Sequence, residues 1–161
     1  MNPCPCGNYP NMNLCRCTDG EVSHYMGKIS QPLLDRIDLC ADVPSVSFAQ
    51  LNSSEKGESS SEIRRRVEMV HRIQQERYRN ENVRFNGELK GNQIHKFCQM
   101  DEQARLLLEK AFHKISLSAR GYHRILKVAR TIADMDGEEV IQTRHVGEAL
   151  TYRAFDKKYW K

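Results

Sequence analysis

The sequence predicts a mainly α-helical protein, a small helical bundle preceded by a short turn-rich segment with one β-strand. Three observations predict it. Apolar residues recur at helical spacing from Ile63 onward, capping residues stand ahead of those runs, and only Ile37 to Val43 alternates with period two.

The first segment, residues 1–44, is rich in turn formers and then turns strand-like. Ile37, Leu39, Ala41 and Val43 alternate with Asp38, Cys40 and Asp42, the pattern of a half-buried strand, and Pro44 ends it. Residues 45–60 read as a polar linker, with Asn52 to Ser60 spelling Asn-Ser-Ser-Glu-Lys-Gly-Glu-Ser-Ser. From Ser61 a helix carries Ile63, Val67, Val70 and Ile73 on one stripe and Arg64, Arg65, Arg66, Arg72 and Arg77 elsewhere. Asn80 to Gly91 is a loop containing Asn86-Gly87, followed by a short helix through Ile94, Phe97 and Cys98.

Asp101 is placed to cap the next helix, which lines up Ala104, Leu107, Leu108, Ala111, Phe112 and Ile115. Ser118 caps its successor, which repeats the template with Tyr122, Ile125, Leu126, Ala129, Ile132 and Ala133. Asp136-Gly137 stops that helix. Thr143 opens a last helix through Val146, Ala149 and Leu150, and Phe155, Tyr159 and Trp160 are expected to close the bundle.

At 161 residues the chain can form one domain with a good core or two small ones. Hydrophobic residues at 39% and charged residues at 29% exclude a disordered chain, and no apolar run approaches the ~20 residues of a membrane span. No secretory signal is visible, so a cytoplasmic protein is expected. The net charge of +4 is compatible with phosphates or nucleic acid but diagnostic of neither.

Four of the six cysteines share one loop, Cys4-Pro-Cys6-Gly7 followed by Cys15-Arg16-Cys17. Two close thiolate pairs joined by a turn can fill the four tetrahedral positions of zinc. A disulfide-stapled loop or a set of reduced, metal-free thiols would use the same residues, and a reducing compartment favours the metal over the disulfide. Cys40 and Cys98 lie in apolar-patterned segments and read as core residues.

Three blocks resemble the magnesium-chelatase-like AAA+ ATPases, in particular their competence-protein-type branch. They are Asn2-Pro3-Cys4-Pro5-Cys6-Gly7, Lys28-Ile29-Ser30-Gln31-Pro32-Leu33-Leu34-Asp35-Arg36-Ile37-Asp38-Leu39, and the run from Ser118-Ala119-Arg120-Gly121-Tyr122-His123 to Ala133-Asp134. The resemblance runs over nearly the whole chain. It implies that residues 1–44 are the C-terminal remnant of an α/β ATPase core, with the sensor 1 loop and the last core strand. Residues 45–60 would then be a linker and residues 61–161 the helical lid. A phosphate loop and an acidic Walker B strand are missing from this sequence, so it is expected to be inactive alone as the C-terminal part of a longer ATPase. ATP with Mg²⁺ would be used by the full-length protein, which would assemble as a hexameric ring and remodel DNA in a helicase-like or branch-migration role.

The same resemblance assigns roles residue by residue. Asn2 matches the sensor 1 asparagine, whose amide donates to phosphate and accepts from water without adding charge. The residues alone allow a simple turn role before Pro3. Arg36 matches the arginine finger, a contribution worth roughly 10³–10⁵ in rate in phosphoryl transfer. Its alternative is a local ion pair with Asp35 or Asp38. Arg120 matches sensor 2, and here physics speaks independently, because a cation in the first turn behind a Ser118 cap opposes the helix dipole unless a phosphate is its target. Its alternative is a side chain in solvent.

Other features weigh less. Arg64-Arg65-Arg66 is a solvated helix face that a ring could turn to DNA. His24 lies near Cys17 as a substitute ligand, while His123 and His145 sit beside apolar stripes as packing or surface residues. Two further readings stand beside the ATPase: a stand-alone zinc-binding nucleic-acid or protein-interaction module, and a true magnesium chelatase subunit. The paired cysteines after Asn2-Pro3 depart from the chelatase pattern.

Overall fold

A computed structural model describes residues 2–54, 57–115 and 117–159, with the side chains of Gln31 and of residues 154–159 outside the described set. The chain divides into two units, Met1–Ala41 together with Thr151–Lys161, and Asp42–Leu150. Both are built from helices. Among the described residues eight α-helices run in the order α1 Asp19–Met26, α2 Gln31–Leu34, α3 Phe48–Leu51, α4 Ser60–Arg77, α5 Asn92–Phe97, α6 Glu102–Lys114, α7 Ala119–Met135 and α8 Thr143–Tyr159, with a 3₁₀ turn at Asn86–Glu88 between α4 and α5. No described helix is long and apolar enough to cross a membrane.

The larger unit is organised by α7. Ile125, Leu126, Ala129, Ile132 and Ala133 are buried along it, and Ala104 and Leu108 of α6 are buried with Ile94, Ile141, Val146 and Ala149. α7 packs against α4, the 3₁₀ turn and α5. Its ends are written locally. Ser118 accepts the Gly121 N–H at 3.0 Å. At the other end Gly137, at φ 73°, lets Glu138 N–H reach Ala133 O at 2.8 Å and Gly137 N–H reach Asp134 O at 3.2 Å, a Schellman closure. Asp101 caps α6 through Ala104 N–H at 2.7 Å.

α4 begins one residue earlier than expected, because Ser59 and Glu62 form a reciprocal capping box. Along its stripe Val70 is buried, but Ile63 and Val67 remain 44% and 46% exposed, so the expected apolar face is covered only in its later part. Within the segment read as linker lies α3, started by a Ser47–Gln50 capping box. Thr143 opens α8 as its first residue, as expected, and His145 Nδ1 accepts the Gln142 N–H at 2.9 Å beside that start.

The expected strand at Ile37 to Val43 is not formed. Among the described residues the only β pairing is an isolated parallel bridge between Met100 and Ile141. Alternation shapes one face, but a strand needs a neighbouring strand to form a ladder with, and among the described residues none pairs with this segment. Its nearest substitute is Cys40 N–H bonded to Tyr152 O at 3.1 Å, within the smaller unit. Phe155, Tyr159 and Trp160, expected to close the bundle, have side chains outside the described set.

Candidate functional site

The N-terminal loop folds by successive turns. Gly7 N–H bonds Cys4 O at 3.1 Å, Asn11 N–H bonds Asn8 O at 2.8 Å, and Cys15 N–H bonds Asn11 O at 2.8 Å. Each turn reverses the chain between the two cysteine pairs. Gly7 sits at φ 81°, where a side chain is strained, and a Cβ there would lie 3.1 Å from Asn2 Nδ2. Thr18, directly after Cys17, caps α1 in a box with Glu21 and so ends the loop on a helix.

These turns bring all four sulfurs of Cys4, Cys6, Cys15 and Cys17 within 4.8 Å of one another. Cys4 Sγ lies 3.4 Å from Cys6 Sγ and 3.8 Å from Cys15 Sγ, and Cys6 Sγ lies 3.6 Å from Cys15 Sγ. None of the four is in a disulfide. A tetrahedron of sulfurs around zinc at ~2.3 Å has edges of ~3.8 Å, so the donor set and its spacing fit that ion.

The protonation pattern is divided. At Cys4 burial opposes ionisation and so does Cys6, but the Tyr9 N–H at 3.4 Å and the thiols of Cys15 and Cys17 bring the group below its ordinary value. Cys6 is lowered to about 6, chiefly by the Asn8 and Arg16 N–H groups. The Cys17 N–H favours ionised Cys15, yet burial and the adjacent thiols raise it. Cys17 is helped by the Cys6 N–H but pushed up to about 12 by burial and the same neighbours. Ionising all four sulfurs at this spacing would therefore need a cation among them.

Arg36 follows α2 in the smaller unit. Its N–H bonds Leu33 O at 2.9 Å and Ile37 N–H bonds Leu34 O at 3.0 Å, so the residue sits on a closed turn. Its side chain is exposed and, among the described residues, enters no ion pair. The carboxylate beside it is turned elsewhere: Asp35 Oδ1 is 3.5 Å from Arg153 Nη2. Asn2 is exposed over Gly7.

Arg120 belongs to the larger unit and occupies the second position of α7, exposed and, among the described residues, without an ion pair. Beside it, Ala119 and Tyr122 line a groove of about 420 Å³ with Arg105, Leu108, Glu109 and Phe112. Tyr122 and Phe112 meet edge to face at 6.1 Å. His145 is fully buried and shares Asp136 with Arg144, so of the two places expected for it, packed or at the surface, it takes the first.

Two groups of residues escaped the sequence reading. Arg153, 5% exposed in the second half of α8, donates through Nη1 to Leu34 O at 3.2 Å and to Ile37 O at 2.8 Å. In the larger unit Asp134, Arg130, Arg77 and Asn86 form a buried polar cluster. An arginine within a helix and an aspartate beside an apolar stripe carry no spacing signal.

Residues 57–153 match the family described as magnesium chelatase, subunit ChlI C-terminal, and residues 1–51 match magnesium chelatase, subunit ChlI. Competence protein ComM of Haemophilus influenzae is 41% identical over 155 residues, 96% of this chain and 30% of the relative. The uncharacterized proteins YifB of Salmonella typhimurium and of Escherichia coli are 38% and 37% identical over 158 residues, again 30% of their lengths. The chain therefore spans about a third of the curated relatives it matches.

Proposed function

The chain belongs to the magnesium-chelatase-like family, and from that membership we propose that it forms the sensor, finger and lid end of a ring-forming AAA+ ATPase that remodels DNA. The observation that carries the reading is Arg36: exposed on an ordered turn, with its adjacent carboxylate engaged by another cation. A guanidinium held out in this way serves an anion brought by a second molecule better than a local pair.

Bound ATP with Mg²⁺ supplies the γ-phosphoryl group. Arg36 of one subunit reaches toward a neighbour's nucleotide and stabilises the charge that develops on the equatorial oxygens. Arg120, at the start of α7, offers phosphate a guanidinium together with the free N–H groups of the helix terminus. Asn2 offers an uncharged donor and acceptor for water, and Gly7 leaves room for its amide. All three act on a nucleotide whose main binding residues belong to the rest of the ATPase.

The cysteine quartet has a separate role in this reading. With all four ligand positions supplied by protein, bound zinc is structural rather than catalytic, and it would hold the loop that carries Asn2. DNA is the substrate favoured by the kinship with ComM, named a competence protein. The exposed Arg64, Arg65 and Arg72 of α4 give a backbone-binding surface. The test is ATP turnover by the full-length protein carrying Arg36→Ala. It is expected to bind nucleotide and to lose hydrolysis, whereas retained turnover overturns the finger assignment.

A further inference from the structure

We propose that Arg153 is a positioning residue for Arg36, an inference that rests on the reading of Arg36 as the finger. Leu34, Asp35 and Ile37 bracket Arg36, and Arg153 engages each of them: Leu34 O at 3.2 Å, Ile37 O at 2.8 Å and Asp35 Oδ1 at 3.5 Å. One planar fork therefore grips the backbone before and after the finger, and Arg36 itself is left untouched.

Two physical consequences follow. The carbonyl of Leu34, the last residue of α2, already accepts the Ile37 N–H at 3.0 Å, and the buried Arg153 gives it a second, charged donor. Holding both carbonyls restricts the torsions of residues 35–37, and so restricts the direction in which Arg36 leaves the turn. The second consequence is electrostatic. A carboxylate directly beside an exposed arginine competes with any phosphate for it, and Arg153 draws Asp35 away from that role.

A lysine cannot reproduce this arrangement. Its ammonium is a point charge on a flexible stem, whereas the guanidinium presents donors in a fixed plane to acceptors on two sides. Arg153 is 5% exposed, so its own contact with nucleotide or DNA is excluded and its effect must pass through the turn.

The experiment uses the full-length protein. A misplacement of about 1 Å in a catalytic group can cost ~10²-fold, so Arg153→Gln is expected to lower kcat by about that factor with the KM for ATP unchanged. Arg153→Lys, which keeps the buried charge, is expected to lose about tenfold. Because a finger serves the neighbouring subunit, the defect must act in trans. Mixed rings that combine Arg153→Gln subunits with subunits lacking the phosphate-loop lysine should regain turnover, since the latter lend an intact finger. Wild-type kcat in both Arg153 variants overturns the proposal. So does a defect that mixing leaves uncorrected in rings shown to contain both subunits, for then Arg153 acts only on its own subunit's stability. Arg36→Ala is assayed beside them: turnover retained there removes the finger reading itself, while its loss alongside active Arg153 variants removes only the positioning role.

Discussion

Arg77 of α4 and Asp134 of α7, 57 residues apart, form a two-pronged ion pair in which the aspartate is fully buried. Arg77 Nη1 lies 2.9 Å from Asp134 Oδ2, and its Nη2 donates to Oδ1. Arg130 Nε donates to the same carboxylate at 3.0 Å and Asn86 Nδ2 at 2.8 Å, so every lone pair of Asp134 has a donor. Arg130 also closes the end of its helix by donating to the carbonyls of Glu138 and Glu139. Asn86 is fixed in turn by Tyr78, Gln74 and Thr131. This cluster joins α4, the 3₁₀ turn and α7, the scaffold that carries Arg120 at its far end.

Removing the carboxylate leaves Arg130 without its counter-charge in a fully buried position. Loss of one partner of a buried pair costs about 3–5 kcal/mol, so Asp134→Ala is expected to destabilise the larger unit by that amount in urea denaturation. A loss below 1 kcal/mol would mean that the cluster contributes little to the lid.

For the cysteine loop, metal analysis of protein purified under reducing conditions is expected to find one zinc per chain, released by chelators. Cys4→Ser and Cys17→Ser should each abolish binding, because a closed structural site needs all four ligands. Protein free of metal, with Cys4→Ser fully functional, would assign the convergence of the sulfurs to packing alone.

Arg120 gives a prediction of opposite signs for stability and function. A cation in the first turn of α7 opposes the helix dipole, so Arg120→Glu is expected to stabilise this chain by about 0.5–1 kcal/mol in denaturation. The same change should depress ATP turnover of the full-length protein by repelling phosphate. Unaltered turnover removes Arg120 from the nucleotide site.

What could be read in advance was the local part of the code. Asp101 and Ser118 announce α6 and α7 because caps act within three residues, and Gly137 announces the stop. The cysteine pairs were legible for the same reason, since turns between residues 4 and 17 bring them together. The polar cluster was not: Asn86 meets Asp134 across 48 residues, and hydrophobic periodicity says nothing of buried polar partners. Arg153 meets Leu34 across 119 residues and was equally hidden. The strand at Ile37 to Val43 failed because alternation describes side chains, while pairing belongs to a neighbouring backbone.

The central claim is that this chain contributes one phosphate contact to its own subunit, Arg120, and one to the next, Arg36. Mixing full-length Arg36→Ala and Arg120→Ala subunits tests both together. Each variant alone is expected to lose turnover, and rings containing both should recover part of it, since an Arg36→Ala subunit keeps its own Arg120 and borrows the finger of its neighbour. Full activity in either variant alone, or no recovery in rings shown to hold both subunits, would contradict it.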